Sequence, residues 1–396
     1  MKSVAVLGGG PAGSFAAERL ARAGLKTILI DEKHAWEKPC GGGLTERAYK
    51  QYPYLLNNNT PKRVVTETHF AAHEAGAVKM TLSQPLVIYS RFDLNRMLLE
   101  RAEKAGAQIE KTRVQEIERQ GSGWSVRTRN GSLQADYCVI ATGARNPLRN
   151  VGTELTPTDT MVALGYYVAA DQPHIDVQFL HDLEGYIWIF PRCGHLSVGI
   201  GGKGEPTHSL RTRLERYMDE RGIRYRGAPF FAHVIPSLDT ASWPKNRIAG
   251  DAWIAVGDAA GLVDPITGEG LAYAMRSGDL ASQVILDETV PIAAKAAAYA
   301  TRIREEFADD LAYASTLAHR LYLGEFMRDT VPSRMVQFAR HSRRFSKLLG
   351  TLMHGGQPYL TLKRKLYGSL FPTLLEIGWN VVLGRREPAK ELTAES

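Results

Sequence analysis

The feature that most restricts the fold of this chain is a glycine-rich run directly after its first apolar segment. Val4 to Leu7 predicts a short buried strand, and the next six residues are Gly8-Gly9-Gly10-Pro11-Ala12-Gly13. Small and apolar residues from Ser14 to Ala23 predict a helix that ends at Gly24, and residues 27–30 predict a second strand. A strand, a glycine turn, a helix and a second strand within about 30 residues indicate a βαβ unit of the Rossmann type.

The spacing of these glycines predicts a dinucleotide site. Such glycines permit a tight turn, close approach of the backbone to a pyrophosphate and close packing of the helix. The predicted cofactor contacts are therefore Gly8, Gly10, Ala12 and Gly13. Asp31 stands 18 positions after Gly13, where a carboxylate binds the hydroxyl pair of a ribose. Because a carboxylate would repel a 2′-phosphate, Asp31 favours FAD or NAD.

Length and composition favour two globular lobes. The chain has 396 residues, of which 44% are hydrophobic and 23% charged, and it shows neither low complexity nor internal repeats. Cys40, Cys138 and Cys193 are too few and too far apart for a disulfide framework or a Cys-x-x-Cys metal site. We therefore expect reduced thiols, no metal site and a cytoplasmic location. The first apolar segment is too short for a signal peptide, so no export signal is expected.

The net charge of +7 lies in the C-terminal part of the sequence. Residues 320–396 contain 13 Lys and Arg against 6 Asp and Glu, a difference of +7 that leaves residues 1–319 balanced. Such a region can contact the phosphates of lipids or nucleic acids, or form a solvated helical face. The sequence contains no nucleic-acid-binding module, so nucleic acid is not an expected partner. The apolar segment Ser369 to Gly384 is shorter than the ~20 residues that span a bilayer and is not predicted to be transmembrane.

The rest of the sequence predicts a second lobe and then a return to the first. Its hydrophobic patterns predict a helix over 92–105 and strands over 108–118, 124–128 and 133–141, which make a small β-meander followed by a buried strand. Aromatic-rich antiparallel strands follow over 160–235, with a helix at 210–221. Further along, a buried strand at 252–256 and a helix at 271–285 rejoin the nucleotide lobe, and the pattern is helical from Pro291 onward.

A second glycine-rich motif indicates that the dinucleotide is FAD. It comprises Gly257-Asp258-Ala259-Ala260-Gly261, Asp264-Pro265 and Gly268-Glu269-Gly270. Here the chain resembles the glutathione-reductase-type flavoproteins, specifically the group of aromatic hydroxylases, halogenases and geranylgeranyl reductases. The resemblance implies that Asp258 meets the ribityl chain or pyrophosphate, and that Gly270 and Leu271 open a helix facing the isoalloxazine oxygen. A positive helix end there would stabilise negative charge on reduced flavin.

The same resemblance assigns two further cofactor contacts. Arg91, at the start of Arg91-Phe92-Asp93-Leu94, matches an arginine near the FAD pyrophosphate or ribityl chain, and Val114 matches a backbone contact to adenine. From the residues alone, Arg91 could equally form a surface ion pair, and Asp258 could serve as a helix cap.

The fold class implied is α/β, with a Rossmann-type, glutathione-reductase-like FAD-binding domain, an antiparallel-sheet substrate domain and a helical C-terminal region. The predicted extents are 1–60, 83–156 and 246–290 for the FAD-binding domain, 61–82 and 157–245 for the substrate domain, and 291–396 for the helical region.

Two short motifs are specific to the geranylgeranyl reductase branch. Pro39-Cys40-Gly41-Gly42-Gly43-Leu44 is similar to the Cys-Gly-rich loop that runs along the flavin in that family, which implies cofactor contacts at Cys40, Gly41 and Gly43. By the same resemblance Cys40 is the candidate catalytic residue. It could orient an alkene, help to deliver a proton, or only pack. Cys138, inside a predicted strand, is expected to be inert core.

The second motif matches the family signature Y-x-W-x-F-P followed, after seven residues, by G-x-G. The matching substrate-binding candidates are Tyr186, Trp188, Phe190, Gly199 and Gly201. Alternation places the three aromatic rings on one face of a strand, where they could line an apolar tunnel. The alternative from the residues alone is that the rings fill the core of the lobe.

Other branches of the group match less well. Hydroxylases carry an Asp-Gly motif that serves FAD and NADPH, but this chain has Gly143-Ala144-Arg145 at that place. The electron donor, NAD(P)H or ferredoxin, therefore stays open. Halogenases have W-x-W-x-I-P, whereas this chain has Tyr186 in place of the first tryptophan and Phe190 in place of the isoleucine. Halogenases also have a catalytic lysine, but Lys79 of this chain is expected to be solvent-exposed.

The resemblance thus predicts an FAD-dependent reductase of carbon–carbon double bonds in a prenyl chain carried by a lipid, a quinone or an isoprenoid diphosphate. The alternatives are a monooxygenase or halogenase that uses a flavin hydroperoxide, and a flavoprotein without catalytic activity. Expected partners are the prenylated substrate, an electron-donor protein and, through the basic C-terminal region, the surface of a membrane. Chain length, head group, number of bonds reduced and oligomeric state do not follow from the sequence.

Overall fold

A computed structural model describes residues 1–73, 75–362, 364–365 and 368. The chain forms two compact units. The first comprises residues 1–38, 90–160 and 234–312, and the second comprises residues 39–89, 161–233 and the described residues from 313 onward. Each unit has its own sheet and its own apolar core.

The elements are numbered in chain order. The strands are β1 (Ser3–Leu7), β2 (Lys26–Ile30), β3 (Gly43–Leu44), β4 (Lys62–Ala72), β5 (Gly76–Tyr89), β6 (Gln108–Glu110), β7 (Val114–Gln120), β8 (Gly123–Thr128), β9 (Gly131–Ala135), β10 (Tyr137–Ile140), β11 (Thr160–Val168), β12 (Ile175–Phe179), β13 (Glu184–Arg192), β14 (His195–Lys203), β15 (Phe230–Pro236), β16 (Ala249–Gly250), β17 (Trp253–Ala255), β18 (Glu325–Phe326) and β19 (Asp329–Thr330). The helices are α1 (Pro11–Arg22), α2 (Glu46–Gln51), α3 (Arg91–Lys104), α4 (Thr207–Glu220), α5 (Leu271–Leu286), α6 (Ile292–Ile303), α7 (Asp309–Leu323), α8 (Val331–His341) and α9 (Arg343–Met353).

The first unit contains the predicted parallel sheet. Its strand order is β16-β17-β10-β1-β2-β6, and every neighbouring pair is parallel except β16 and β17. Because helices cover a parallel sheet, its central strands are apolar on both faces. Helices α1 and α5 pack tightly, since a Cβ added at Gly278 would lie 2.3 Å from the carbonyl oxygen of Ala12. The Rossmann-type α/β fold is therefore confirmed.

The second unit is built on an eight-stranded sheet of order β15-β11-β14-β13-β12-β4-β5-β3. The pairings from β11 through β14 and β13 to β12, and from β4 through β5 to β3, are antiparallel, whereas β12 and β4 are parallel. Helices α8 and α9 cover one face of the sheet, and Val177 and Val336 belong to the core between them and the sheet. Helix α4 covers the other face, and Ile189 and Leu214 belong to the core there. The antiparallel-sheet lobe is thus confirmed.

Two stretches predicted as single strands are each divided. Residues 108–118 form β6 in the parallel sheet and β7 in a separate three-stranded meander of β7, β8 and β9. Residues 133–141 form β9 and β10, which are separated at Asp136. The carboxylate of Asp136 accepts a hydrogen bond of 3.0 Å from the backbone of Ser3, so this residue holds the chain against the start of β1 and releases it from the meander.

The compact units differ from the predicted domain limits. Residues 39–60 and 83–89 lie in the second unit, because β3 pairs with β5 and the Tyr49 hydroxyl donates to the Pro85 carbonyl over 2.8 Å. Residues 234–245 lie in the first unit, tied by the Ser237 amide to the Asp159 carbonyl. The described part of the C-terminal region is mainly helical, as predicted, but residues 291–312 join the first unit and the described residues from 313 onward join the second.

The apolar residues of α9 are packed in the second unit. Leu349 and Leu352 are buried, and α9 lies against β5. This part of the basic C-terminal region therefore covers the sheet as an ordinary packed helix. The segment Ser369 to Gly384 and the apolar positions 370, 371, 374, 375 and 379 lie outside the described residues. Among the residues that the structure does describe, none belongs to a helix long and apolar enough to cross a bilayer.

Candidate functional site

The glycine turn between β1 and α1 has two glycines that the fold itself requires. Gly8 has φ +118°, and a Cβ there would lie 2.2 Å from the carbonyl oxygen of Ala141. A Cβ at Gly13 would lie 2.0 Å from the carbonyl oxygen of Gly8. A side chain at Gly8 would therefore overlap the chain that follows β10, and one at Gly13 would push α1 away from the turn.

Gly10 differs from these two glycines because a Cβ there would meet no protein atom within 4 Å. It is the N-cap of α1, and with no side chain it leaves the first backbone N–H groups of the helix uncapped. The turn therefore combines open space with uncapped donors and a positive helix end. This arrangement suits the pyrophosphate of FAD.

Asp31, at the end of β2, holds the glycine turn in place. Its Oδ2 accepts a hydrogen bond of 2.5 Å from the Gly9 amide, and its Oδ1 accepts one of 2.8 Å from the Lys33 amide. Each carboxylate oxygen has a second lone pair, so these bonds leave room for ribose hydroxyls. The turn-holding role was not foreseen from the sequence.

Arg91 is a buried cation at the start of α3, with only 3% of its surface exposed. Its Nη2 lies 3.4 Å from Asn95 Oδ1, and its Nε has no hydrogen-bond partner among the described residues. No carboxylate within the described part of the chain forms an ion pair with it. A buried guanidinium without a counter-charge is costly, and an anionic phosphate would compensate it. The surface-ion-pair interpretation of Arg91 is thereby contradicted.

Asp258 lies in the turn after β17, beside the start of α5. A Cβ at Gly270, the N-cap of α5, would lie 3.6 Å from Asp258 Oδ1. Asp258 Oδ2 forms an ion pair of 2.9 Å with Lys38 Nζ, a residue that no sequence motif marked. The structure therefore places Asp258 beside Gly270, and α5 begins at Leu271 as predicted, while the flavin contacts of these residues stay a prediction. Val114, by contrast, begins β7 with its side chain buried in the core of the first unit.

In the second unit, the Cys-Gly loop packs directly on the aromatic strand β13. A Cβ at Gly41 would lie 2.6 Å from Phe190 Cδ2, and one at Gly43 would lie 3.3 Å from Phe190 Cε2. Gly42 has φ +84°, and a Cβ there would lie 2.1 Å from the Tyr89 carbonyl oxygen. The three glycines thus let the loop fit between the Phe190 ring and the end of β5.

The aromatic signature itself explains its two later glycines. Trp188 pairs with Gly199 and Tyr186 pairs with Gly201 across β13 and β14. A Cβ at Gly199 would lie 2.2 Å from Trp188 Cζ2, whereas one at Gly201 would lie 3.7 Å from Trp188 Cζ3. The indole therefore lies flat over β14, and Gly199 in particular leaves the space that it occupies.

The three aromatic rings lie on one face of β13, as alternation predicted. Ile187 and Ile189, between them, belong to the core on the opposite face. Trp188 is buried, so the core-filling interpretation holds for this ring. Tyr186 and Phe190 are only partly buried, and they border the core that includes Val177 and Phe179.

A hydrogen-bonded chain fixes the backbone of the Cys-Gly loop. Trp188 Nε1 donates to Ser197 Oγ over 3.3 Å, and Ser197 Oγ donates to the Cys40 carbonyl over 3.3 Å. The fully buried Arg192 donates to the same carbonyl and lies over the Tyr167 ring, 5.2 Å from its centroid. The Cys40 sulfur in turn accepts the Gly42 amide over 3.2 Å. Sequence reasoning missed Arg192, although it directly follows the proline of the signature.

Cys138 and Lys79 were predicted to have no role in the site, and their burial and exposure agree with that prediction. Cys138 is fully buried, and its burial raises the pKa of the thiol, which keeps it protonated and unreactive. The side chain of Lys79 is 64% exposed and pairs with Glu67 over 2.6 Å.

Comparison with known proteins identifies the family. A model of the FAD dependent oxidoreductase family matches residues 45–279, and one of glucose inhibited division protein A matches residues 3–46. Geranylgeranyl diphosphate reductase of Rhodobacter capsulatus is 30% identical over 71% of this chain and 74% of its own. Digeranylgeranylglycerophospholipid reductase of Methanothrix thermoacetophila is 30% identical over 72% and 77%, and menaquinone reductase of Mycolicibacterium smegmatis is 28% identical over 84% and 87%.

Solved structures share the fold. A geranylgeranyl bacteriochlorophyll reductase-like protein from Thermoplasma acidophilum superposes with a TM-score of 0.76 at 23% identity, over 93% of this chain and 99% of its own. The halogenase PltM superposes with a TM-score of 0.67 at 17% identity, over 97% and 92%. At such identities these likenesses establish the architecture alone.

The Trp188 packing predicts opposite responses at two neighbouring glycines. Gly199→Ala should lower stability by about 1–3 kcal/mol, because the methyl group would overlap the indole. Gly201→Ala should be tolerated, since its methyl group would make an ordinary contact. Thermal unfolding followed by tryptophan fluorescence, with FAD content measured in parallel, checks both variants. Equal melting temperatures for the two would contradict the packing role of Gly199.

Proposed function

The chain belongs to the geranylgeranyl reductase family of FAD-dependent oxidoreductases, and we propose that it hydrogenates carbon–carbon double bonds in the prenyl chain of a lipid, quinone or isoprenoid diphosphate. The observation that carries this proposal is the contact between the two motifs specific to the family. Phe190 of the aromatic signature rests on Gly41 and Gly43 of the Cys-Gly loop, and Ser197 and Arg192 hold the loop's backbone.

The residues of the first unit are suited to hold FAD. The open turn at Gly10 and the buried Arg91 guanidinium would bind the pyrophosphate, and Asp31 would accept from the ribose. Asp258, paired with Lys38, would accept from the ribityl hydroxyls, while the N-terminus of α5 would face the flavin ring. Bound in reduced form, FAD supplies a hydride to one carbon of the double bond.

The residues of the second unit are suited to hold the alkene and to complete the reduction. An isolated double bond is a poor hydride acceptor, so it must be fixed in near-attack geometry while a proton reaches its other carbon. The half-buried rings of Tyr186 and Phe190 offer apolar contact, and their π faces would stabilise developing positive charge. We assign the proton to the Cys40 thiol, whose loop is fixed through its backbone carbonyl; solvent then reprotonates the thiolate.

Mass spectrometry tests the proposed reaction. After anaerobic incubation with dithionite-reduced protein, geranylgeranyl diphosphate or a prenylated quinone should gain about two mass units for each double bond reduced, because a hydride and a proton add together. Unchanged lipids despite fully reduced FAD would overturn the proposal. Rapid NAD(P)H consumption with release of peroxide would instead favour the monooxygenase or halogenase alternative.

The role of Cys40 is tested in the same assay. Cys40→Ala should lower the rate at least ~100-fold with FAD still bound, since the bonds from Arg192 and Ser197 to the Cys40 carbonyl remain when the sulfur and its contact with the Gly42 amide are lost. Cys193→Ala, at an exposed cysteine, is the matched control and should keep the full rate. An unchanged rate in Cys40→Ala would limit this residue to packing.

The role of Arg91 is tested by FAD affinity. Arg91→Met should weaken FAD binding about 10- to 150-fold, the equivalent of losing one charge-assisted hydrogen bond of ~1.5–3 kcal/mol. Because it also removes an uncompensated buried charge, the apoprotein should be no less stable. Reconstitution of apoprotein with FAD, followed by flavin fluorescence, measures the change. Arg96→Met, at an exposed arginine of the same helix, is the control, and equal affinities in the two variants would contradict the assignment.

We also propose peripheral membrane contact, through a hairpin within the basic C-terminal region. Leu323, Phe326 and Met327 are exposed by 39%, 42% and 56%, and the last two lie at the β18–β19 turn. Met327 and Arg328 both have positive φ, a conformation that favours Asn-Gly and is costly for larger residues. Arg334 donates to the carbonyls of Phe326 and Met327 and so fixes the turn that exposes these two side chains. Apolar side chains beside arginines suit an anionic lipid surface.

Sedimentation with vesicles containing anionic lipid tests this contact. The protein should pellet at low salt, and the double variant Phe326→Ser and Met327→Ser should remain in the supernatant because it loses the inserting side chains. Ile292→Ser, at an equally exposed apolar residue of α6, is the control and should pellet normally. Absence of pelleting by the unaltered protein, or equal pelleting by the double variant, would remove the membrane proposal.

A further inference from the structure

A cluster of two histidines and two carboxylates lies on the eight-stranded sheet, outside the motifs discussed above. Glu67 and His69 belong to β4, while His174 precedes β12 and Asp176 lies within it. Strands β4 and β12 are parallel, with Asp176 opposite His69. The side chains are 17–31% exposed, so that solvent ions can reach them.

The cluster lies on the face of the sheet opposite the aromatic rings. Asp176 pairs with Ile189, whereas Val177 pairs with Trp188. Because paired residues share a face and successive residues alternate, the cluster and the Trp188 indole lie on opposite sides of the sheet. Whatever the cluster binds is therefore separate from the predicted substrate residues.

The geometry of the cluster matches that of metal ligands. One ligand atom from each of Glu67, His69 and His174 lies within 4.8 Å of the others, and His69 Nε2 lies 3.0 Å from Glu67 Oε1. Nitrogen and oxygen ligands at about 2.1 Å from a tetrahedral zinc ion are about 3.4 Å apart. The imidazole rings are stacked 3.9 Å apart at 24°, so the rings must turn out of this stacked arrangement before a nitrogen of each can point at one ion.

Asp176 occupies the position of a carboxylate that orients metal-binding histidines. Its Oδ1 lies 3.4 Å from His69 Nδ1 and 3.3 Å from His174 Nε2, and its Oδ2 accepts from Gln172. A carboxylate bonded to one ring nitrogen fixes the tautomer, so that the other nitrogen can bind a metal. At His69 that nitrogen is Nε2, which contacts Glu67 Oε1 over 3.0 Å, and the ion would replace the proton shared between them. Lys79 pairs with Glu67 Oε2, which leaves Oε1 as the ligand atom.

We propose that Glu67, His69 and His174 bind a divalent ion of the zinc class, with Asp176 as the carboxylate that orients both imidazoles. Two histidines and one carboxylate suit zinc, cobalt or nickel, and three protein ligands leave a position for water. The bound ion would join β4 to the chain entering β12 and so stabilise the parallel pair inside an otherwise antiparallel sheet. The site is independent of the flavin reaction.

Zinc titration of the full-length, FAD-loaded protein tests the proposal. A chelator first removes bound metal. After zinc is added and the excess is removed by desalting, the protein should retain one zinc per chain by elemental analysis. Its melting temperature should rise with added zinc, because the ion binds only the folded chain. His69→Gln and His174→Gln should abolish retention, and Asp176→Asn should weaken it about 10- to 100-fold. His208→Gln, at an exposed histidine of α4, is the matched control and should retain zinc.

A second measurement keeps the test decisive if a variant loses FAD or fails to fold. Cobalt added to the unaltered protein should give the intense visible absorption of a four-coordinate site, which added zinc then removes. Absence of this absorption together with absence of zinc retention would overturn the proposal. Retention of equal zinc by folded His69→Gln and His174→Gln would overturn it as well.

Discussion

The second unit depends on the packing of two aromatic rings against glycine residues. Trp188 occupies the space above Gly199, and Phe190 occupies the space beside Gly41 and Gly43. Burial of rings of this size is among the largest apolar contributions a single side chain makes, and it requires close contact over the whole ring. A strand and a loop that are far apart in sequence are thereby fixed together, and Cys40, the proposed proton donor, lies in that loop.

The two units differ in what surrounds their buried arginine side chains. In the first, the Arg91 guanidinium is buried without a carboxylate among the described residues, which suits an incoming anion. In the second, the Arg192 guanidinium is also buried, but it donates to the Cys40 carbonyl and lies over the Tyr167 ring. The second arginine is compensated by the protein, whereas the first would be compensated by the phosphate that we propose it binds. A buried arginine can therefore be a structural group in one place and a candidate binding group in another.

Local patterns predicted the parts of the structure that depend on neighbouring residues. The βαβ unit, the meander and the alternation of β13 follow from periodicity and glycine placement, and the structure contains them. The division of residues 133–141 was missed because Asp136 acts through the distant backbone of Ser3. The roles of Lys38, Arg192 and the cluster around His69 also depend on partners that no local pattern reveals. Those contacts arise only once the sheets have formed.

The hydrogen bond from Arg192 to the Cys40 carbonyl limits when the Cys-Gly loop can fold during synthesis. The two residues are 152 positions apart, so the loop cannot reach its final conformation until β13 and β14 have been made and paired. At a synthesis rate of about 5–20 residues per second, this delay lasts roughly ten to thirty seconds on the ribosome. Throughout that interval the thiol of Cys40 lacks the surroundings that later hold it. The Cys40 thiol is therefore open to oxidants during synthesis, before Arg192 and Ser197 hold its loop.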